Sequence, residues 1–155
     1  MIELRKIEAA DLPIFWTHLR DPEAQRMAAF TRPYHYDRDA FDVHWAKILA
    51  DPSILPRTVV ADGAVAGNVA TFGDPDEREV TYWIDPQHWG RGVATTALTL
   101  LLELDGTRPM HAHAAADNAA SVRVLEKCGF QVVGHDSGYA LARDGEIDEV
   151  ALVLA

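Results

Sequence analysis

The segment Trp89-Gly90-Arg91-Gly92-Val93-Ala94 decides the fold, because it joins two stretches of different character. Before it, residues 79–84 are rich in β-branched and aromatic side chains, which predicts a strand. After it, residues 93–104 are rich in Ala, Leu and Thr and apolar on most faces, which predicts a buried helix. Two glycines at such a junction let a ligand approach the free N–H groups of the first helical turn, where the helix dipole favours an anion. We therefore expect a phosphate-binding turn here.

The sequence on both sides of this turn predicts a mixed α/β chain. Strands are predicted at residues 2–6, 58–61, 65–72, 79–84, 110–115, 130–133, 139–142 and 147–154. Helices are predicted from a cap at Asp11, from Asp37 to about Ala50, over 93–104 and after Asn118, with a short one after Asp21. Residues 80–115 indicate a strand, helix, strand unit with a parallel crossover. The predicted fold class is α/β (α+β mixed), with a mixed, mostly antiparallel sheet of six to seven strands and about four flanking helices.

Length and composition bound the function classes. The 155 residues suit one domain, which we expect to span residues 1–155. A net charge of −10 argues against nucleic acid as a partner and favours a cationic or neutral substrate. Cys128 is the only cysteine, so no intrachain disulfide forms and a reducing compartment is indicated. Because no apolar stretch approaches the length of a membrane span, we expect no membrane partner and a cytoplasmic protein.

The glycine turn also matches a known pattern for binding a cofactor. The pattern Arg/Gln-x-x-Gly-x-Gly/Ala fits from Trp89, with Gly92 and Ala94 in the last two places, although Trp89 departs from its first position. A second register starts at Gln87 and uses Gly90 and Gly92. Together with the later helix, this turn resembles the GNAT family of N-acetyltransferases.

Within that family the chain is most similar to the RimJ/RimL-like branch, which acetylates the N-termini of ribosomal proteins. The shared features are Trp89 to Gly92, then Ala94, then Asn118 with Ser121, and residues 126–130. The resemblance covers most of the chain and implies the GNAT fold. It implies transfer of an acetyl group from acetyl-CoA to a primary amine, first of all a peptide or protein N-terminus, by direct attack in a ternary complex. It implies no metal.

The resemblance implies a set of residues that bind acetyl-CoA. They are Trp83, Ile84, Trp89, Gly90, Arg91, Gly92, Val93, Ala94, Thr95, Asn118 and Ser121. The pantetheine arm is expected along Trp83 and Ile84, against the strand near His113, with Asn118 and Ser121 on its polar groups.

Two residues are implied for proton transfer. Glu79 matches the acidic position of the family, and a carboxylate must help to deprotonate an alkyl ammonium whose pKa is about 10. Glu79 is equally interpreted as a solvated carboxylate at the end of a strand, and its burial separates the two interpretations. Leu125 stands where many members carry a Tyr that protonates the leaving thiolate. Ser121 is the substitute we favour, with Tyr139 or solvent as alternatives.

The acceptor is expected between the N-terminal helices and the strand of Glu79, with residues 30–36 as a wall. Trp16, Phe41 and Trp45 are interpreted as core or as pocket wall. Small amines such as polyamines or aminoglycosides are an alternative class of acceptor. A non-catalytic acyl-CoA sensor is an alternative function.

The remaining alternatives concern other ligands. A dinucleotide site is suggested by Gly90-x-Gly92 and Asp117, but Thr95 breaks the fingerprint and the terminal strands are antiparallel. His111 and His113 share one face of a strand, but no third ligand is recognisable, so we expect no metal. Cys128 is interpreted as a packing residue. Both a monomer and a homodimer remain open.

Overall fold

A seven-stranded sheet forms the centre of the computed structural model, which describes residues 1–31 and 36–155. Its strands are β1 (Ile2–Arg5), β2 (Leu55–Ala61), β3 (Ala64–Phe72), β4 (Glu79–Ile84), β5 (Met110–Ala115), β6 (Gln131–Ala140) and β7 (Gly145–Leu154). The α-helices of the described residues are α1 (Asp11–Leu19), α2 (Pro22–Ala28), α3 (Arg38–Ala50), α4 (Val93–Leu104) and α5 (Ala119–Lys127). None of these helices has the length and apolar content needed to cross a bilayer.

The strand order is β1-β2-β3-β4-β5-β7-β6. Neighbours are antiparallel except β4 and β5, which are parallel and are connected through α4. The predicted mixed, mostly antiparallel sheet is therefore confirmed. A dinucleotide-binding sheet is mostly parallel, so this topology excludes that alternative. The described residues form five α-helices, including the predicted short helix after Asp21.

The two faces of the sheet are covered by different helices, and the side chains of β4 alternate between them. Val80, Tyr82 and Ile84 pack in the larger core together with residues of α4 and α5. Trp83 packs on the other face, against an aromatic cluster contributed by α1 and α3. The aromatic members of this cluster are Phe15, Phe41 and Trp45, and Trp16 packs against it. Glu79 alternates with Val80 and therefore shares the face of Trp83.

The bounds of most elements agree with the sequence, and the differences have local causes. β2 begins at Leu55 and includes Pro56, which the sequence pattern did not place in a strand. Proline is tolerated here because the pairing with β1 ends at Thr58, so Pro56 has a neighbouring strand on one side only. β6 does not break after residue 133. The register with β7 shifts between Val132 and Gly134, but the strand is not interrupted, and its pairing with β7 continues to Ala140.

Asp11 does not cap the first helix, contrary to the prediction. Ala10 is the N-cap, and Asp11 is the first helical residue. Its buried carboxylate accepts hydrogen bonds from the Arg5 guanidinium at 2.7 and 2.8 Å, from the backbone N–H of Glu8 at 2.9 Å and from the Thr58 hydroxyl at 2.7 Å. These donors, Arg5 above all, lower the pKa of Asp11 from 3.8 to about 2. Asp11 thereby ties α1 to β1 and β2.

The variant Asp11→Asn should lower the free energy of unfolding by about 2 kcal/mol near neutral pH. Because the folded pKa is depressed, the stabilisation is fully present above the unfolded value of 3.8 and is lost as pH falls through about 2. Urea unfolding at neutral and acidic pH measures this, and the difference from wild type should shrink in acid. Glu103→Gln is the control, because Glu103 is exposed on α4 and its side chain has no hydrogen bond to another described residue. An equal loss in both variants contradicts the proposed role of Asp11.

Candidate active site

β4 and β5 part after their first residues. Glu79 is paired with His111, and the backbone N–H of His111 donates to the carbonyl of Arg78 at 2.7 Å. No later residues of the two strands are paired, although the strands continue to Ile84 and Ala115. Parallel strands that separate leave a cleft whose walls carry backbone N–H and C=O groups without a sheet partner. A ligand that contains amide groups can bond to these walls.

The glycine turn lies beyond the end of β4 and opens α4. Gly90 and Gly92 have φ values of 74° and 75°, in the left-handed region that other residues disfavour, and Gly92 is the N-cap. No side chain caps this helix, and within the described chain the backbone N–H groups of residues 90–95 donate to no other group. A Cβ at either glycine would meet nothing within 4 Å. The turn therefore presents free amides to open space at a helix N-terminus, as an anion site requires.

Side chains on both sides of the turn fix its position. The indole N–H of Trp89 donates to the carbonyl of Ile84 at 2.8 Å, and Val93 is buried in the core below the turn. On β3, a Cβ at Gly67 would come within 2.1 Å of the Trp83 carbonyl oxygen, so glycine is required for β4 to approach. Trp89, which departs from the broad pattern, is thus a tether between the turn and the end of β4.

Glu79 is held at the point where the cleft begins. Its Oε1 lies 3.0 Å from Nδ1 of His113, and its side chain is 29% exposed, so it is neither freely solvated nor fully buried. The neighbouring Arg78 bonds instead to Asp105 at 3.0 Å and to the carbonyls of Ser53 and Gly73. These bonds fix the start of β4 and leave Glu79 to His113.

A further carboxylate, Glu149, lies near this pair and was missed by the sequence analysis. It is opposite Ala115 in the β5 and β7 pairing. Burial raises the pKa of Glu149; the His113 imidazole opposes the rise, and the carboxylates of Glu79 and Asp136 add to it. Its position follows from strand register, which the sequence pattern alone does not reveal.

On the other face of the sheet, a hydrogen bond joins Tyr82 to Ser121. The Tyr82 hydroxyl lies 2.6 Å from Oγ of Ser121. Burial raises the pKa of Tyr82, although the bond to Ser121 opposes the rise, so the phenol keeps its proton. Leu125 is 1% exposed and fills the core, whereas Tyr139 is exposed and donates to Asp144. Of these two tyrosines, Tyr82 is the one that bonds to Ser121.

Asn118 is engaged by the protein itself. Its Oδ1 accepts from the backbone N–H of Ser121 at 3.2 Å, so it caps α5 as predicted. Its side-chain amide donates to the carbonyl of Met27 in α2 at 3.2 Å. A contact between Asn118 and pantetheine stays a prediction. The second hydrogen of the side-chain amide is available to donate in such a contact.

Four other residues were singled out in the sequence: Asp117, Cys128, His111 and His113. The carboxylate of Asp117 forms an ion pair with Arg143. Cys128 is half-buried at the end of α5, and burial raises the pKa of its thiol, which suits a packing residue. His111 and His113 belong to no group of three or more metal-ligating side chains within residues 1–31 and 36–155. Of the predicted acceptor wall at residues 30–36, residues 32–35 lie outside the described residues.

Comparisons with known proteins agree with this geometry. A family model described as an acetyltransferase (GNAT) domain matches residues 2–131. No curated protein sequence gives a significant match.

Solved structures share the fold at low identity. The spermidine N-acetyltransferase of Vibrio cholerae, in complex with CoA and spermine, has a TM-score of 0.81 and 21% identity, over 99% of this chain and 95% of that one. RimJ of Mycobacterium smegmatis, in complex with CoA-disulfide, has a TM-score of 0.80 and 18% identity, over 98% and 80%. The aminoglycoside acetyltransferase AAC(6')-Ib, in complex with coenzyme A, has a TM-score of 0.74 and 20% identity, over 99% and 94%.

Proposed function

Because the chain belongs to the GNAT family and is an acetyl-CoA-dependent N-acetyltransferase, we propose that its acceptor is the α-amine of a peptide or protein. The amine attacks directly, within a ternary complex. The observation that carries the acetyl-CoA site is the parting of β4 and β5 next to a turn of free amides, and the peptide acceptor is supported by the resemblance to the RimJ/RimL-like branch. Such a site holds a long ligand with a diphosphate at one end and amides along its length.

The residues proposed to bind acetyl-CoA divide between the turn and the cleft. Residues 90–95 donate their backbone N–H groups to the diphosphate. Trp83 and Ile84 form one wall of the pantetheine channel, and the strand of His113 forms the other. When bound, acetyl-CoA supplies a thioester that is already activated towards an amine, so no metal is needed for this chemistry.

Protons are proposed to move on opposite faces of the sheet. Glu79, on the face of α1 and α3, accepts a proton from the acceptor ammonium directly or through water. Ser121, on the face of α5, donates to the departing sulfur as the carbon–sulfur bond breaks and the carbon–nitrogen bond forms. The nitrogen loses two protons in all, which Glu79 passes in turn to solvent. The sulfur gains one proton from Ser121, solvent returns one to Ser121, and one proton is therefore released per turnover. Tyr82 is proposed as a positioning residue: its hydroxyl lies 2.6 Å from Oγ of Ser121, and if it donates to Oγ, the proton of Ser121 is left to point into the cleft.

The variant Tyr82→Phe should lower kcat about tenfold, as expected for the loss of one hydrogen bond, and leave KM for acetyl-CoA within about twofold. Steady-state thiol release measures both values. Ser121→Ala should show a similar loss, and the double variant should be little worse than either, because the two hydroxyls act as a unit. Tyr139→Phe is the control, since Tyr139 bonds to Asp144 instead. Equal losses in both Tyr variants, or a loss confined to KM, argue against positioning.

A thermal-shift screen followed by turnover tests the proposed function. Acetyl-CoA and CoA at about 100 times their Kd should each stabilise the fold by about 2.7 kcal/mol, and NAD should not. Thiol release is then measured with short peptides that carry a free N-terminus. Stabilisation by acetyl-CoA without turnover of any amine would contradict the proposed function and favour a sensor. Turnover of spermine but of no peptide would instead select the small-amine alternative.

A further inference from the structure

A cationic, aromatic pocket lies among the first three helices. Trp16, Arg20, Gln25, Tyr36 and Arg38 line it, and its volume is about 480 Å³. The guanidinium carbons of Arg20 and Arg38 each lie 5.7 Å from the centre of the Trp16 ring. The pocket therefore brings two cations to one indole, which holds both by cation–π attraction.

The charge of this pocket is unbalanced. Arg38 has an acidic partner, since its Nε lies 3.1 Å from the carboxylate of Asp42. The guanidinium of Arg20 forms no hydrogen bond or ion pair with any described residue and contacts only the Trp16 ring, and none of the described lining residues is acidic. A free guanidinium presents N–H donors in a plane that matches a carboxylate or a phosphate. In a chain with a net charge of −10, this is a local reversal of sign.

The pocket borders the acceptor side of the cleft. The indole N–H of Trp83 donates to the carbonyl of His18 at 3.3 Å, two residues before Arg20. Trp16 and Trp83 both pack against the same aromatic cluster. Helix α2 carries Gln25 on the pocket wall and bonds to Asn118, at the start of α5, through Met27. The same elements thus form the pocket and flank the face on which Glu79 lies.

We infer that the acceptor carries a carboxylate or other anionic group close to its amine, and that Arg20, with Arg38, binds that group. The inference rests on the proposed function and names the class of acceptor for the same site. A polyamine or an aminoglycoside brings several positive charges to these guanidiniums and is repelled. A peptide with an acidic residue near its N-terminus is attracted. The pocket thereby reverses the preference for a cationic substrate that net charge suggested.

Thiol release from acetyl-CoA with matched acceptors tests the inference. Three peptides differ only at the second position, which is Glu, Gln or Lys, and free glutamate, spermine and ribostamycin complete the set. Wild type should show kcat/KM about tenfold higher for the Glu peptide than for the Gln peptide, and lower again for the Lys peptide and spermine. Free glutamate and the Glu peptide both carry a carboxylate close to an amine. The comparison of their rates therefore shows whether the acceptor is an amino acid or a peptide.

The variant Arg20→Gln should lower kcat/KM about tenfold for the Glu peptide and less than about twofold for the Gln peptide. Lys47→Gln is the matched control: it removes the same charge from an exposed position on α3, nine residues beyond Arg38. It should leave the preference unchanged.

The outcomes separate the two proposals. Turnover with equal rates for the Glu and Gln peptides, or with a preference for the Lys peptide or spermine, overturns the inference and leaves the proposed function standing. A Glu preference that survives in Arg20→Gln also overturns it. Binding of acetyl-CoA, measured by calorimetry, without turnover of any acceptor overturns the proposed function and the inference with it.

Discussion

Replacing Gly92 with Val should weaken the binding of acetyl-CoA about 100-fold and leave the protein folded. Gly92 is the residue that both registers of the glycine pattern share, and its φ is 75°. A β-branched residue disfavours this region by about 1 to 2 kcal/mol, so the turn should relax to a conformation that redirects its N–H groups. Loss of two charge-assisted hydrogen bonds, at about 1.5 kcal/mol or more each, gives the expected change in Kd.

Calorimetric titration with acetyl-CoA measures the effect of Gly92→Val, and Gly63→Val is its control. Gly63 has a φ of 83°, and a Cβ there would meet nothing within 4 Å, so the two variants introduce the same backbone strain into open space. Both should lose a similar amount of stability. Only Gly92→Val should lose affinity. Unchanged affinity in Gly92→Val, or an equal loss in both variants, refutes the diphosphate site at the turn.

Local sequence predicted those parts of the fold in which propensity and tertiary structure agree. The bounds of β4, α4 and β5 follow from composition and from the two glycines between them. The prediction failed where tertiary structure decides. Asp11 looks like a helix cap, but the Arg5 guanidinium and the Thr58 hydroxyl compete for its carboxylate. The unbroken β6 depends on its pairing with β7, which local turn residues do not encode.

The candidate site divides in the same way. The glycine turn is contiguous, so its residues could be identified from the sequence alone. Tyr82 was missed because its partner, Ser121, lies 39 residues away, and only the alternation of β4 indicated that Tyr82 faces α5. The contact between the Glu79 and His113 side chains was missed for a similar reason, because it depends on the register between β4 and β5. A motif identifies a contiguous site, whereas a site assembled from separate strands requires the register.

Replacing Glu79 with Gln should lower kcat about 100-fold at neutral pH, because general base catalysis contributes about 100-fold to 10,000-fold. Gln keeps the size of the side chain and can still contact His113, but it cannot accept a proton. KM for acetyl-CoA should stay within about twofold, since Glu79 is not among the groups proposed to bind it. Glu77→Gln is the control: Glu77 is an exposed carboxylate two residues earlier in the chain.

The pH dependence of Glu79→Gln separates a base from a carboxylate with a structural role. Without a base, the rate should follow the fraction of acceptor that is already unprotonated, and a peptide α-amine has a pKa of about 8. The ratio of the wild-type rate to the Glu79→Gln rate should therefore be greatest at low pH and should fall as pH rises past about 8. A merely structural carboxylate predicts a deficit that is constant with pH, together with a lower melting temperature. A constant deficit would remove Glu79 as the base and direct attention to Glu149, the nearby carboxylate whose pKa burial raises.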